Sequence, residues 1–370
     1  MGLIRALLAF TVVFAHSPWN DGVALVGGRN AVQLFYVISG FLIAHVLRTN
    51  ATYLNPISFY ANRALRIYPT YYVVLLLSLG PALLTNSPFL DFTRHAGATA
   101  TTLLTIANVT IFGQDWAMFG QVVGGDLSLA IDFTQADTPL YRGLIIPQAW
   151  TLGVELTFYL LAPFLLKRSS VIVAALVLSL TARAWLFHVG IGATDPWSYR
   201  FFPAELSLFL LGALANRWGL AVWRQTLPNP QRLAQASALA VATLAALICA
   251  YSMVPLPEAV KTVALIGIFV ILLPLTFLHR PRGRWDRWLG ELSYPVYIGH
   301  ILMILVVGIV LRRLQWQMDA AALTLFNLAL SIAFASLLNL LLERPLERLR
   351  ARVRRGTAVN LRGAQRTAAG

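Results

Sequence analysis

Long apolar runs separated by short polar connections set the rhythm of this chain. They lie near residues 3–19, 32–48, 67–84, 148–166, 170–189, 199–217, 233–253, 259–278, 289–311 and 321–342. A hydrocarbon core roughly 30 Å thick takes about 20 helical residues to cross. The pattern therefore predicts an all-α polytopic membrane protein with about ten transmembrane helices. One stretch breaks the series. Residues 96–113, AGATATTLLTIANVTIFG, carry five threonines and Asn108 and are only weakly apolar. Counted as a crossing, they would invert everything after them, so they are read as a re-entrant or buried half-helix, which membrane depth permits when protein covers the backbone.

Composition agrees with the pattern. Hydrophobic residues make up 58% of the chain and charged residues 12%, and mean hydropathy is +0.68. No soluble domain has this balance. The first run has no small-residue cleavage site and carries polar residues at both ends, so it is expected to be a retained span rather than a leader. Cys249 stands alone, which excludes disulfides and thiolate metal sites within one chain. No metal site is expected.

The net charge of +14 does not point to nucleic acid, because the basic residues gather in the connections between apolar runs. They fall at Arg48, Arg63 and Arg66, at Lys167 and Arg168, at Arg217 and Arg224, and within 279–287 and 344–355. Under the positive-inside rule these face the cytoplasm, which places both termini there. The connection 114–147, polar and glycine-rich, is then the largest external loop, and long loops of this kind often bind ligands. Residues 1–349 form the membrane domain. The tail 350–370 is basic and without apolar periodicity, as expected of a disordered segment near anionic lipid.

Ionisable groups inside membrane spans are functional candidates by default. Here they are Arg5, His16, Glu155, Arg183, Glu205, Glu291, His300 and Glu343. Arg5 could be a snorkelling anchor. His16, eleven residues on, lies roughly 16 Å further along the helix, and alone it would read as a wet interfacial residue. Arg63 and Arg66 are three apart and share a helix face, suited either to pinning a loop or to gripping phosphate bidentately. Trp150 and Glu155 open the fourth span, and Glu155 is expected to pair with His16 as acid and base. His300 and Tyr297 share a face of the ninth span. Gly40, in FYVISGFLI, reads as a close-packing position. Glu343, in the terminal ERP, reads as a salt bridge to the basic loop.

Taken in order, R-x10-H (Arg5 to His16), FYVISGFLI, NRALRIYP, AWTLGVELTFYLLAP, LGELSYPVYIGH and the terminal ERP resemble the acyltransferase-3 family of integral membrane O-acyltransferases, from the first residues to about residue 350. The family's W-S-L-x-x-E-x-x-F-Y appears with Thr151 for the serine, and Leu156 takes the place of a second acidic residue. The resemblance implies a stand-alone member without the fused hydrolase-like domain, in the bacterial inner membrane. It implies transfer of an acyl group, acetyl above all, from cytoplasmic acyl-CoA as co-substrate to a glycan hydroxyl, for example on polysaccharide or lipopolysaccharide. No permanently bound cofactor is implied. In that scheme His16 is the general base, oriented or charge-balanced by Glu155. Arg63 and Arg66 hold the CoA phosphates, with Arg5 on a further phosphate or a developing negative charge. Trp150, Tyr297 and His300 bind or support substrate. Direct transfer and an acyl-enzyme on His16 both stay open. A triad with its own activated serine is not visible. The competing reading is a transporter or flippase with a proton relay, against which the missing internal repeats weigh. A merely structural or sensor role is the third.

Overall fold

The structure is a computed structural model and describes residues 1–19, 25–85, 87–278, 283–347, 349 and 351. The tail from residue 352 and residues 279–282 of one basic cluster lie outside the described residues. The helices are α1 (Gly2–Ala15), α2 (Gly28–Thr49), α3 (Pro56–Leu84), α4 (Pro88–His95), α5 (Ala98–Thr110), α6 (Trp150–Leu165), α7 (Ser169–His188), α8 (Phe202–Leu214), α9 (Leu220–Thr226), α10 (Pro230–Ala250), α11 (Glu258–Leu278), α12 (Arg284–Leu314) and α13 (Ala320–Leu338). Among the described residues eight helices are long and apolar enough to cross a membrane, with α8, a π-helical turn at Ala215–Gly219 and α9 counted as one. The protein is thus an all-α polytopic membrane protein.

Two expected spans are shorter than predicted. α1 has 14 residues and α6 has 16, about 21 and 24 Å of helix. α1 stops at Ala15 because Pro18 follows closely, and the backbone N–H groups of His16 and Ser17 turn back to the carbonyls of Val13 and Phe14. Other boundaries follow capping chemistry. Asn55, Asn229 and Asp319 accept backbone N–H groups at the starts of α3, α10 and α13, with proline in the first turn of the first two.

The centre of the bundle is the crossing of α2 and α8. A Cβ on Gly40 would stand 1.8 Å from the Phe209 carbonyl oxygen, and one on Gly212 would stand 2.0 Å from that of Val37. Glycine at both places lets the two backbones touch, the packing role expected of Gly40. The same crossing is tied by charge. Arg183 of α7 meets the fully buried Glu205 of α8 at 2.6 Å, and Gln33 of α2 donates to both Glu205 oxygens at 3.3 and 3.1 Å. α1 packs along α12, and Asp286, in the first turn of α12, accepts the Leu3 N–H at 2.9 Å.

α5, the expected half-helix, is 13 residues long, about 20 Å. It ends inside the protein, and its last carbonyls are met by side chains. Tyr68, Tyr71 and Tyr72 of α3 donate to the carbonyls of Thr110, Asn108 and Val109 at 2.5, 2.6 and 2.7 Å, and Gln114 donates to that of Ala107 at 3.1 Å. Three tyrosines within about one turn of α3 thus satisfy a helix end that water would otherwise have to reach. The 114–147 connection folds into short 3-10 turns and one hairpin, β1 (Gly120–Val123) with β2 (Asp126–Leu129), joined through Gly124 and Gly125 at φ +60° and +93°. This hairpin is the exception to the all-helical expectation.

Candidate active site

A cavity of about 230 Å³ opens between α1, α2, α3, α6 and α12. Three guanidiniums line it: Arg5 from the first turns of α1, and Arg63 and Arg66 from one face of α3. Among the described residues none of the three closes an ion pair with a carboxylate. Arg63 lies instead over the rings of Phe59 and Tyr159, at 5.6 and 5.9 Å. Glu155 lines the same cavity. Its Oε1 accepts hydrogen bonds from the Ser39 hydroxyl at 2.6 Å and the Tyr159 hydroxyl at 2.5 Å. The arrangement is a chamber with a largely apolar wall, excess positive charge and one carboxylate fixed by two hydroxyls. Such a chamber is suited to an anion.

His16 is elsewhere. It is exposed at the other end of α1 and lines a second cavity, of about 420 Å³, with Ser17, Pro18 and Asn327 of α13. Its Nδ1–H donates to the Val12 carbonyl at 2.9 Å. This bond fixes the tautomer and leaves Nε2 with its lone pair in the cavity, as a general base requires. Behind it His300 is fully buried, ring centroids 5.0 Å apart, and its Nδ1–H donates to the Tyr297 carbonyl at 2.6 Å. The Nε2 of His300 has no hydrogen-bond partner among the described residues.

The pairing of His16 with Glu155 expected from the sequence is not formed. Glu155 sits one and a half turns into α6, where it meets α2 and shares a chamber with Arg5, whereas His16 caps the far end of the helix that Arg5 begins. The neighbour of His16 is the second histidine. Trp150 stands away from both sets. Its ring holds the Arg200 guanidinium at 4.2 Å and packs edge-on to Tyr199 at 5.4 Å, and Arg200 is bound to Asp195 at 2.6 and 2.9 Å. Tyr297 lines the arginine chamber, exchanges a hydrogen bond with Thr151 at 2.7 Å and donates to the Gln148 carbonyl at 3.0 Å. The hydroxyl of Thr151 thus has its own partner, consistent with a serine or threonine at this place. Glu343 accepts from Thr70 at 3.1 Å.

Ser39, Tyr159 and Asn327 were not singled out by sequence reasoning as site residues. A hydroxyl or amide inside an apolar run is an available signal; Asn327 carries it in LFNLALSIAF, with Ser331 one turn on.

Comparison with known proteins adds an independent line. The chain is 24% identical to nodulation protein 10 of Rhizobium leguminosarum bv. viciae, over 94% of this chain and 93% of that protein. It is 23% identical to the peptidoglycan O-acetyltransferase OatA of Listeria monocytogenes serovar 1/2a, over 93% of this chain and 55% of that protein. No solved structure matches. The profile of the acyltransferase-3 family, described as an acyltransferase domain, matches residues 1–339. It spans both chambers and every helix from α1 to α13, so the chain belongs to the acyltransferase-3 family.

Proposed function

We propose that this protein moves an acyl group, most simply acetyl, from acyl-CoA to a hydroxyl of a glycan at the face of a bacterial inner membrane. The observation that carries the reading is the division of α1, with a chamber at its Arg5 end whose three arginines close no ion pair among the described residues, and an exposed histidine bonded through Nδ1 at its other end. The family and the name of the Listeria relative, a peptidoglycan O-acetyltransferase, support transfer to a glycan.

In this mechanism Arg63 and Arg66 bind the phosphates of CoA and Arg5 contributes a third positive charge. Glu155 balances that charge while the site is empty and holds Ser39 and Tyr159 in place. His16 takes the proton of the acceptor hydroxyl on Nε2. The freed oxygen attacks the thioester carbonyl, a C–O bond forms, the C–S bond breaks, and CoA leaves as thiolate and collects a proton. His300, buried beside His16, supports the ring. CoA is a co-substrate and not a resident cofactor.

The test is the mass of surface glycans from cells with and without the protein. A loss of one acyl group that the intact gene restores and His16→Ala does not is the expected result. Restoration by His16→Ala at comparable protein level would remove His16 from the mechanism. An unchanged glycan profile would refute the glycan acceptor.

A further inference from the structure

A third cavity, of about 300 Å³, lies on the face of α2 that turns away from the arginine chamber. Leu42, Ile43 and Val46 line the chamber, whereas Ala44, Leu47 and Arg48 line this cavity, closed on its other sides by the ends of α6, α7 and α8. Three cations converge on it, Arg48, Lys167 and Arg217, and no acidic residue is in its lining. The three come from separate stretches of the sequence, so the fold has gathered them. Arg48 donates to the carbonyl of Arg217 at 3.4 Å, and Arg217 donates to those of Leu166 and Lys167 at 3.3 and 3.4 Å. These bonds aim the guanidiniums without neutralising them.

The second observation is independent of charge. Asn216 lines the cavity from the π-helical turn and is fully buried, yet neither Nδ2 nor Oδ1 has a hydrogen-bond partner among the described residues. Buried amides are nearly always paired, and the unpaired ones call for an unseen partner. A π turn inside an α-helix often marks a functional place. Water could pair the amide and the positive-inside rule puts the cations on one side of the membrane, but neither accounts for their convergence with Asn216 on one cavity free of carboxylates. A phosphate ester accounts for both: its oxygens accept from Asn216 Nδ2 and from the cations, and an adjoining hydroxyl or amine donates to Oδ1. The apolar part of the wall, Leu166, Ile172 and Pro163 among it, suits a group attached to hydrocarbon.

We infer that this cavity is a binding site for a phosphate ester, separate from the arginine chamber. The ligand chemistry has two sources, the headgroup of an anionic phospholipid and the phosphates of CoA, and one set of measurements separates them. Delipidated protein in detergent is melted with phosphatidylglycerol, with phosphatidylcholine and with CoA, for the parent and for Asn216→Ala, Lys167→Gln and the double variant Arg63→Ala with Arg66→Ala. Arg48 and Lys167 are exposed, so Lys167→Gln keeps the fold even where a change at Asn216 does not.

A lipid source predicts that phosphatidylglycerol raises the melting temperature of the parent and of the Arg63/Arg66 variant, that phosphatidylcholine does not, and that Asn216→Ala and Lys167→Gln each weaken the lipid about tenfold. A CoA source predicts that the CoA shift falls in Asn216→Ala and Lys167→Gln. The site is refuted if neither ligand shifts the parent, or if the shifts are the same in parent, Asn216→Ala and Lys167→Gln. Failure of the CoA shift in the Arg63/Arg66 variant alone bears on the proposed donor site and leaves this one standing.

Discussion

The two ends of α1 differ in the way they are held, and the difference separates two kinds of chemistry. At the Arg5 end charge is plentiful and enclosed: three guanidiniums, one carboxylate and several tyrosine hydroxyls surround a chamber inside the helix bundle. At the His16 end charge is scarce and the group is open. One exposed imidazole is fixed by a single bond to its own helix and backed by one buried neighbour. The first end is built to hold an anion still. The second is built to exchange a proton with something that arrives and leaves.

The sharpest way to break this comparison is at His16. Because its ring bonds only within α1, His16→Ala should leave the melting temperature and the acetyl-CoA shift unchanged while transfer falls about 10²- to 10⁴-fold. A loss of donor binding in that variant would mean that the two ends are not separate. The reciprocal change, Arg63→Ala with Arg66→Ala, should abolish the stabilisation of purified protein by acetyl-CoA, a weakening of at least about tenfold. An undiminished shift would move the donor out of the chamber.

Glu155→Gln tests which end owns the carboxylate. If Glu155 balances the arginines, the variant melts lower when empty, by about 1–3 kcal/mol, and recovers most of that when acetyl-CoA supplies negative charge. If Glu155 served His16 across the membrane, transfer would fall and donor binding would not change.

The last test lies away from both ends of α1, at Asp115, in the connection that covers α6. Burial pushes its carboxyl up to about 6 from 3.8, and its Oδ1 has no partner among the described residues. The folded protein therefore keeps this proton when the unfolded chain has lost it. Stability from this group is full below about pH 4 and declines as pH rises to about 6, by about 2–3 kcal/mol. Asp115→Asn should flatten melting temperature over that window.

Much of this protein was legible in the sequence because a bilayer imposes a strict length and polarity rule. The positions of α2, α3, α7 and α10 to α13 follow from apolar runs, and the threonine-rich stretch 96–113 contains the 13-residue helix α5. The shortening of α1 was not legible as a length, although Pro18 marks it. Arg63 and Arg66 share a chamber as their spacing implied, since three residues apart on one helix is a local property.

What the sequence determined by itself is local: which segments are helical, where they cap, which pairs share a face, and to which family the ordered motifs belong. The tertiary structure decided which helices are neighbours. It put Glu155 with Arg5, gave His16 a histidine for company and turned Arg48, Lys167, Arg217 and Asn216 toward one cavity. The physical reason is that the apolar period of a span says which residues suit the membrane but not which helix it meets. That choice rests on contacts such as Gly40 and Gly212 on facing backbones, and on Arg183, Glu205 and Gln33 meeting in the bundle. Each joins residues far apart in the chain, and no local pattern encodes it.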